Sequence, residues 1–244
     1  MTEKITAIVI DITRHNDKLN IVTLFTRSRG RISFLSPAGS GKMGRLRHSR
    51  LQPLAAIEAD INFRQTAELQ RLGTFALYTV WNNLYFDPVK RLVALFISEF
   101  LNKLLRATMP DEALWDFILN SISLLDNLPG GIANFHIAFL SSLLPFAGIQ
   151  PDHTKYREGY MFDMQSGTFS PDCPVVANHE LTLHADAARM AATLCRINFA
   201  NMHALRLSRH DRQRVIQGLL TYYSIHFPGA GNLKSLEIIR EIFD

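Results

Sequence analysis

Residues 51–63 read Leu-Gln-Pro-Leu-Ala-Ala-Ile-Glu-Ala-Asp-Ile-Asn-Phe, and Leu51, Pro53, Ala55, Ile57, Ala59, Ile61 and Phe63 fall on one side of a period-two pattern. Gln52, Glu58, Asp60 and Asn62, with Arg64 just beyond, fall on the other. Such alternation belongs to a strand with one buried and one wetted face. Upstream, 4–13 (KITAIVIDIT) is an apolar, β-branched run that reads as a buried strand. The segment 18–26 (KLNIVTLFT) is a second strand, with Leu19, Ile21, Thr23 and Phe25 on one face. Ser28-Arg29-Gly30 reads as a tight turn in which Gly30 supplies a positive φ. Arg31–Ser36 alternates again, Ile32 and Phe34 inward, Arg31 and Ser33 outward. Residues 37–50 form a Gly/Ser/basic loop, too long for an ordinary hairpin connection. A short fifth strand is expected near 67–72. Five short strands in roughly 70 residues predict a small closed or partly open barrel, of which the five-stranded OB-fold is the commonest nucleic-acid-binding member.

Beyond Phe75 the period changes from two to about 3.6. Asp87-Pro88 is an N-cap followed by proline at the first helical position. The helix behind it buries Val89, Leu92, Val93, Phe96, Phe100 and Leu104. A helix over 111–127 places Leu114, Ile118, Ile122 and Leu125 on one stripe, and a third runs from Ile132 toward Pro145 and Gly148. Helices are expected near 185–198, from the Ser208-x-x-Asp211 capping box to about His226, and over 233–243. The expected class is α+β: an OB-fold DNA-binding domain at 1–73, then a mostly α-helical domain at 74–244 with a small irregular or hairpin insert at 150–183.

Charge is distributed unevenly along this plan. Residues 1–50 hold ten Lys or Arg against three Asp or Glu, a net of +7, while the whole chain is +4, leaving −3 for 51–244. Seven of the ten cations lie between Arg27 and Arg50 with no acid among them: Arg27, Arg29, Arg31, Lys42, Arg45, Arg47 and Arg50. A charge run is usually only a solvated face, but so many cations without a compensating acid exceed what solubility requires. Confined to one small module, they form the electrostatic footprint of a polyanion partner. Groups of this kind contact phosphates without reading sequence. Few aromatics accompany them, so base stacking is not expected to dominate.

Other features carry less. A hydrophobic content of 47% with 20% charged residues belongs to a folded chain rather than a disordered one. No uncharged apolar run approaches the ~18 residues of a membrane span, and MTEKITAIVIDIT lacks signal-peptide character. Cys173 and Cys195 have no metal or redox spacing. Gly39-Ser40-Gly41-Lys42 misses the other positions of a phosphate-binding loop, since Ser36 and Met43 stand where Gly and Ser/Thr are needed. His179 and His184 are five apart, which on a helix turns them roughly 140° from each other. Nothing nominates a catalytic group, so no enzyme is expected, with no cofactor and no metal.

Taken together, Ala7-Ile8-Val9, Val22-Thr23-Leu24-Phe25-Thr26-Arg27, Gly30-Arg31-Ile32 and Leu51-Gln52-Pro53 are similar to the bacterial DNA repair protein RecO family. The likeness continues at Leu144-Pro-Phe-Ala-Gly-Ile-Gln-Pro151, Leu219-Leu-Thr-Tyr-Tyr223 and Leu233-Lys-Ser-Leu236. The resemblance implies an OB-fold with a helical domain and a recombination mediator that cleaves no bond. It implies binding to single- and double-stranded DNA, strand annealing, the C-terminal tail of single-stranded DNA-binding protein (SSB) and RecR as partners, RecA loading, and a cytoplasmic, nucleoid-associated location. Carried onto this chain, the DNA-binding role falls on Arg27, Arg29, Arg31 and the Lys42–Arg50 loop. Zinc-bearing members have four cysteines where this insert has only Cys173, so no metal is expected; Phe162, Phe169 and a Gly167 turn would hold the insert together. Arg212, Arg214, Lys234 and Arg240 are candidates for the tail. The competing reading is a protein-interaction scaffold whose basic barrel binds RNA. Reversing Arg45, Arg47 and Arg50 to Glu is expected to weaken DNA binding and leave the fold intact.

Overall fold

A computed structural model describes residues 2–39, 41–64, 66–67, 69–106, 109–172 and 181–242. The chain divides into two compact units, one of Met1–Pro129 with Ser235–Ile239, the other built on Gly130–Lys234.

The first unit carries a six-stranded sheet: β1 (Thr2–Arg14), β2 (Leu19–Thr26), β3 (Gly30–Pro37), β4 (Ala56–Asn62), β5 (Gln70–Arg71) and β6 (Phe75–Leu77). Their order is β5-β3-β2-β1-β4-β6. All pairs are antiparallel except β3 with β5, where Phe34 meets Gln70 and Leu35 meets Arg71. The five expected strands are present, and β6 adds a sixth beside β4. The sheet is open between β5 and β6, an OB-like barrel that does not close.

The barrel interior is the face read from the alternation. Leu51, Ala55, Ile57, Ala59 and Ile61 join Ile5, Ala7, Val9, Val22, Leu24, Phe34 and Leu72 in one buried cluster, with Ile32 and Phe63 packed at its margin. On β2 the interior residues are Val22 and Leu24, on the face opposite Leu19, Ile21, Thr23 and Phe25. Phe25 is nevertheless fully buried, as are Ile8 and Ile10 of β1, the strand against which a helix packs. A strand covered on both faces is apolar throughout, so alternation alone could not choose its inner side.

That helix is α2 (Pro88–Leu104), introduced by α1 (Lys42–Arg50) earlier in the chain and followed by α3 (Glu112–Asn127). Asp87 caps α2 by accepting from the amides of Val89 and Lys90. Val93, Phe96 and Phe100 are buried as expected, while Val89, Leu92 and Leu104 are half-buried. Strand β1 slips register between Val9 and Asp11, leaving Ile10 without a partner on β2. Ser98 of α2 donates to the Ile10 carbonyl at 2.6 Å and supplies what the ladder cannot. Leu54, entering β4, holds a left-handed φ of 63°. Its amide donates to Val9 O, and its carbonyl accepts from Trp81 Nε1 at 3.0 Å, so surrounding bonds maintain a backbone unfavourable for leucine. In α3, Leu114, Ile118, Ile122 and Leu125 are buried as expected. Ser235, from the Leu233–Leu236 segment, donates through its amide (2.9 Å) and hydroxyl (2.6 Å) to Glu99 of α2.

In the second unit, α4 (Phe135–Leu143), α5 (Ala185–Leu194) and α6 (Arg209–His226) accompany a small sheet of order β8-β7-β9. The insert is a hairpin, β7 (Met161–Asp163) and β8 (Thr168–Ser170), joined by β9 (Thr182–Leu183). Gly167 turns it at φ 69°, and the rings of Phe162 and Phe169 meet at a tilt of 32° with centroids 4.6 Å apart. Ser208 caps α6 through the Asp211 amide. A last helix, α7 (Ser235–Ile242), ends the described chain. Among the described residues no helix is long and apolar enough to cross a membrane.

Candidate nucleic-acid interface

The basic run begins in the β2–β3 hairpin. Thr26, fully buried, accepts from the Arg29 amide at 3.0 Å and donates to Gly30 O at 2.9 Å, and Gly30 has φ 69°. This closes the expected tight turn, and the fold then engages each of the three arginines around it. Arg27 reaches Glu112 at 3.2 Å and Asp116 at 3.3 Å, with its guanidinium 5.6 Å from the Trp115 ring centroid. Arg29 forks onto one oxygen of Glu3, at 2.9 Å from Nε and 2.6 Å from Nη2, and lies 4.3 Å from the Phe63 ring centroid. Arg31 reaches the end of α2, donating to Asn102 O (3.2 Å), Asn102 Oδ1 (2.8 Å) and Leu105 O (3.5 Å).

Residues 42–50, expected as loop, form α1. They have no apolar stripe, but Lys, Met, Arg and Leu are good helix formers, and Arg47, His48 and Arg50 in the last turn complement the helix dipole. One side chain seats the helix. Arg47 donates through Nε to Ser36 Oγ (2.9 Å) and through Nη2 to Leu72 O and Gly73 O (2.8 Å each), with Phe75 under the guanidinium at 4.9 Å. Gly44 faces the Gly39 carbonyl so closely that a Cβ would collide with it. Arg45, two residues from Arg47 and therefore roughly 200° around the helix, is exposed, as are His48 and Arg50. Among the described residues neither Arg45 nor Arg50 has a hydrogen-bond or ion-pair partner. The Lys42 side chain lies outside the description.

The hairpin and α1 therefore sort six of the seven cations by use. Desolvation lowers the pKa of Arg47. For Arg31 desolvation is again the largest cause, partly offset by Asp11 and reinforced by the nearby Arg106 guanidinium. Both remain cations at neutral pH, since arginine starts from above about 12. Arg31 and Arg106 line an open depression of about 590 Å³ with Ile32, Ser33, Phe63, Ala67 and Gln70. Arg106 was outside the sequence-based set because it stands alone beyond the basic run, and only α2 carries it to β3. The acids that pair with Arg27 lie at i and i+4 on α3 (Glu112, Asp116), an arrangement visible in sequence, but nothing there ties them to a turn residue 85 positions upstream.

The comparisons with known proteins accord with this architecture. Residues 1–79 match the family described as Recombination protein O N terminal, and 85–237 match Recombination protein O C terminal. The chain belongs to the RecO family. It is 33% identical over 244 residues to the DNA repair protein RecO of Bacteroides fragilis, covering 100% of both chains. The RecO of Porphyromonas gingivalis is 35% identical over 243 residues, covering 98% of each, and that of Flavobacterium psychrophilum 31% over 244, covering 100% of each. The two RecO family matches meet between residues 79 and 85, just after β6.

The remaining sequence candidates separate plainly. Arg212 is engaged within its own unit, donating to Asn134 Oδ1 (3.1 Å) and Leu207 O (3.3 Å), whereas Arg214 is exposed. The Arg240 side chain lies outside the description. Cys173 and His179 also lie outside it; His184, His203 and His210 are exposed. Burial raises the Cys195 thiol to about 11, so it holds its proton at neutral pH. Among the described residues, no three His, Cys, Asp or Glu converge as metal ligands.

Proposed function

We propose that this RecO-family chain is a non-enzymatic mediator of DNA repair and homologous recombination. It binds single- and double-stranded DNA through backbone phosphates, anneals complementary strands, and helps load RecA onto DNA coated by SSB. Residues 1–73 carry the DNA contact; 74–244 carry the contacts with the SSB C-terminal tail and RecR. The protein works in the cytoplasm at the nucleoid. The observation that supports this reading most directly is the outward side of α1. There Arg45 and Arg50 are both exposed, with no ion-pair partner among the described residues, on a helix held in place by Arg47. Unpaired, partly immobilised cations at a barrel rim suit a phosphate backbone, because binding releases counterions without first breaking an internal ion pair.

The experiment is annealing of two complementary fluorescent oligonucleotides, each coated with SSB. Acceleration by the protein, lost when the SSB lacks its C-terminal tail, is the expected result. DNA binding without acceleration would overturn the mediator reading and send the search to RNA.

A further inference from the structure

The depression beside β3 combines parts drawn from three places in the first unit. Arg31, Ile32 and Ser33 come from β3, Phe63, Ala67 and Gln70 from the segment between β4 and β5, and Arg106 from just beyond α2. Two guanidinium groups thus border one concavity, close enough for Arg106 to oppose the charge on Arg31. Among the described residues no carboxylate lines it. Like charges brought together in a concave site favour an anion between them.

The arginines differ in preparation. Three of the five N–H donors of Arg31 are used on Asn102 and Leu105, and Asn102 is itself oriented by donating to Asp11 Oδ2 at 3.0 Å. The guanidinium is therefore held in position with two donors remaining. Arg106 is exposed, and no hydrogen bond ties its guanidinium to another of the described residues. Gln70 shapes the wall: its amide accepts from Arg64 N and donates to the carbonyls of Arg64 and Ala67, which ties those two residues to β5. The Ser33 hydroxyl, on the same side, lies 3.4 Å from Thr23 Oγ1, and either of the two can donate to the other.

We infer that this depression is a site for a phosphate group, gripped by the pre-positioned fork of Arg31 and closed by Arg106. The inference rests on the DNA-binding reading above and adds a residue, Arg106, that the basic run does not contain. The phosphate can come from within a strand or from a strand end, and the chemistry is shared.

The test is fluorescence anisotropy of the full chain with a 3′-labelled single-stranded oligonucleotide, with and without a 5′-phosphate. It compares wild type, Arg106→Ala and Arg91→Ala. Arg91 is an exposed arginine of α2 roughly 22 Å back along the helix at 1.5 Å per residue, so it controls for net charge. Arg106→Ala is expected to weaken binding several-fold at 100 mM salt and to reduce the slope of log K against log salt by about 0.7, one single-strand phosphate contact. Arg91→Ala is expected to change neither. Equal weakening on both oligonucleotides assigns an internal phosphodiester; weakening confined to the 5′-phosphorylated strand assigns a terminal phosphate. No effect of Arg106→Ala while wild type binds, or an equal effect of Arg91→Ala, overturns the site. Should wild type bind no DNA, the DNA-binding reading itself fails. A phosphate-dependent shift of the arginine Nε–H resonances, absent in Arg106→Ala, then decides the depression alone: a shift supports it and none overturns it.

Discussion

Arg45 and Arg47 stand two residues apart on α1, and the fold uses them in opposite ways. Arg47 turns toward the barrel, donates three hydrogen bonds to Ser36, Leu72 and Gly73, and covers Phe75. Arg45 turns away from it into solvent, and Arg50, at the end of the helix, is exposed as well. The β2–β3 hairpin extends the contrast, since Arg27, Arg29 and Arg31 are each engaged by acids or carbonyls of the same unit. A run of cations in sequence thus holds two populations. One anchors structure through fork-shaped donors, as arginine does well, Arg31 doing so with two of its donors still open; the other remains for a partner.

The sharpest way to break this comparison is Arg47→Ala. It leaves the buried Ser36 hydroxyl and two carbonyls without their donor, so unfolding in urea should show a loss on the order of 3 kcal/mol, within the range for breaking a hydrogen-bonded charged group. Arg45→Ala should change stability by less than about 0.5 kcal/mol, the usual scale of a surface substitution. Equal losses would erase the distinction. It follows that reversing Arg45, Arg47 and Arg50 together is the wrong experiment, because Arg47→Glu would unseat α1 and confound binding with folding; Arg45→Glu with Arg50→Glu is the clean pair.

Gly44→Ala comes next. With the Gly39 carbonyl where a methyl would go, the turn into α1 must shift, at about 1–3 kcal/mol for an overpacked contact. DNA affinity should fall although no cation has been removed, which anisotropy would detect; unchanged affinity would mean that the seating of α1 does not matter. The smallest effect is expected at Arg29. Its pair with Glu3 is partly exposed and worth up to about 1 kcal/mol, so Glu3→Gln should barely move the denaturation midpoint.

The barrel was legible because β4 alternates with one wet face, and the α3 stripe because an amphipathic helix repeats its burial every three or four residues. The inner face of β2 was not, since Thr23 and Phe25 on its other side are buried as well. Helix α1 escaped notice because it is held by Arg47 rather than by an apolar stripe. At the site, the identity of the cations could be read but their engagement could not. Ion pairs such as Arg27 with Asp116 join residues 89 apart, and only the fold reveals which charges are already answered.

The most direct measurement is the salt dependence of single-stranded DNA binding by wild type, Arg45→Ala/Arg50→Ala and Arg29→Ala. Two lost phosphate contacts predict that the slope of log K against log salt falls by about 1.4 in the α1 double variant and stays at the wild-type value in Arg29→Ala. A wild-type slope in the double variant, with its fold intact, would contradict the claim that the unengaged cations of α1 hold the DNA.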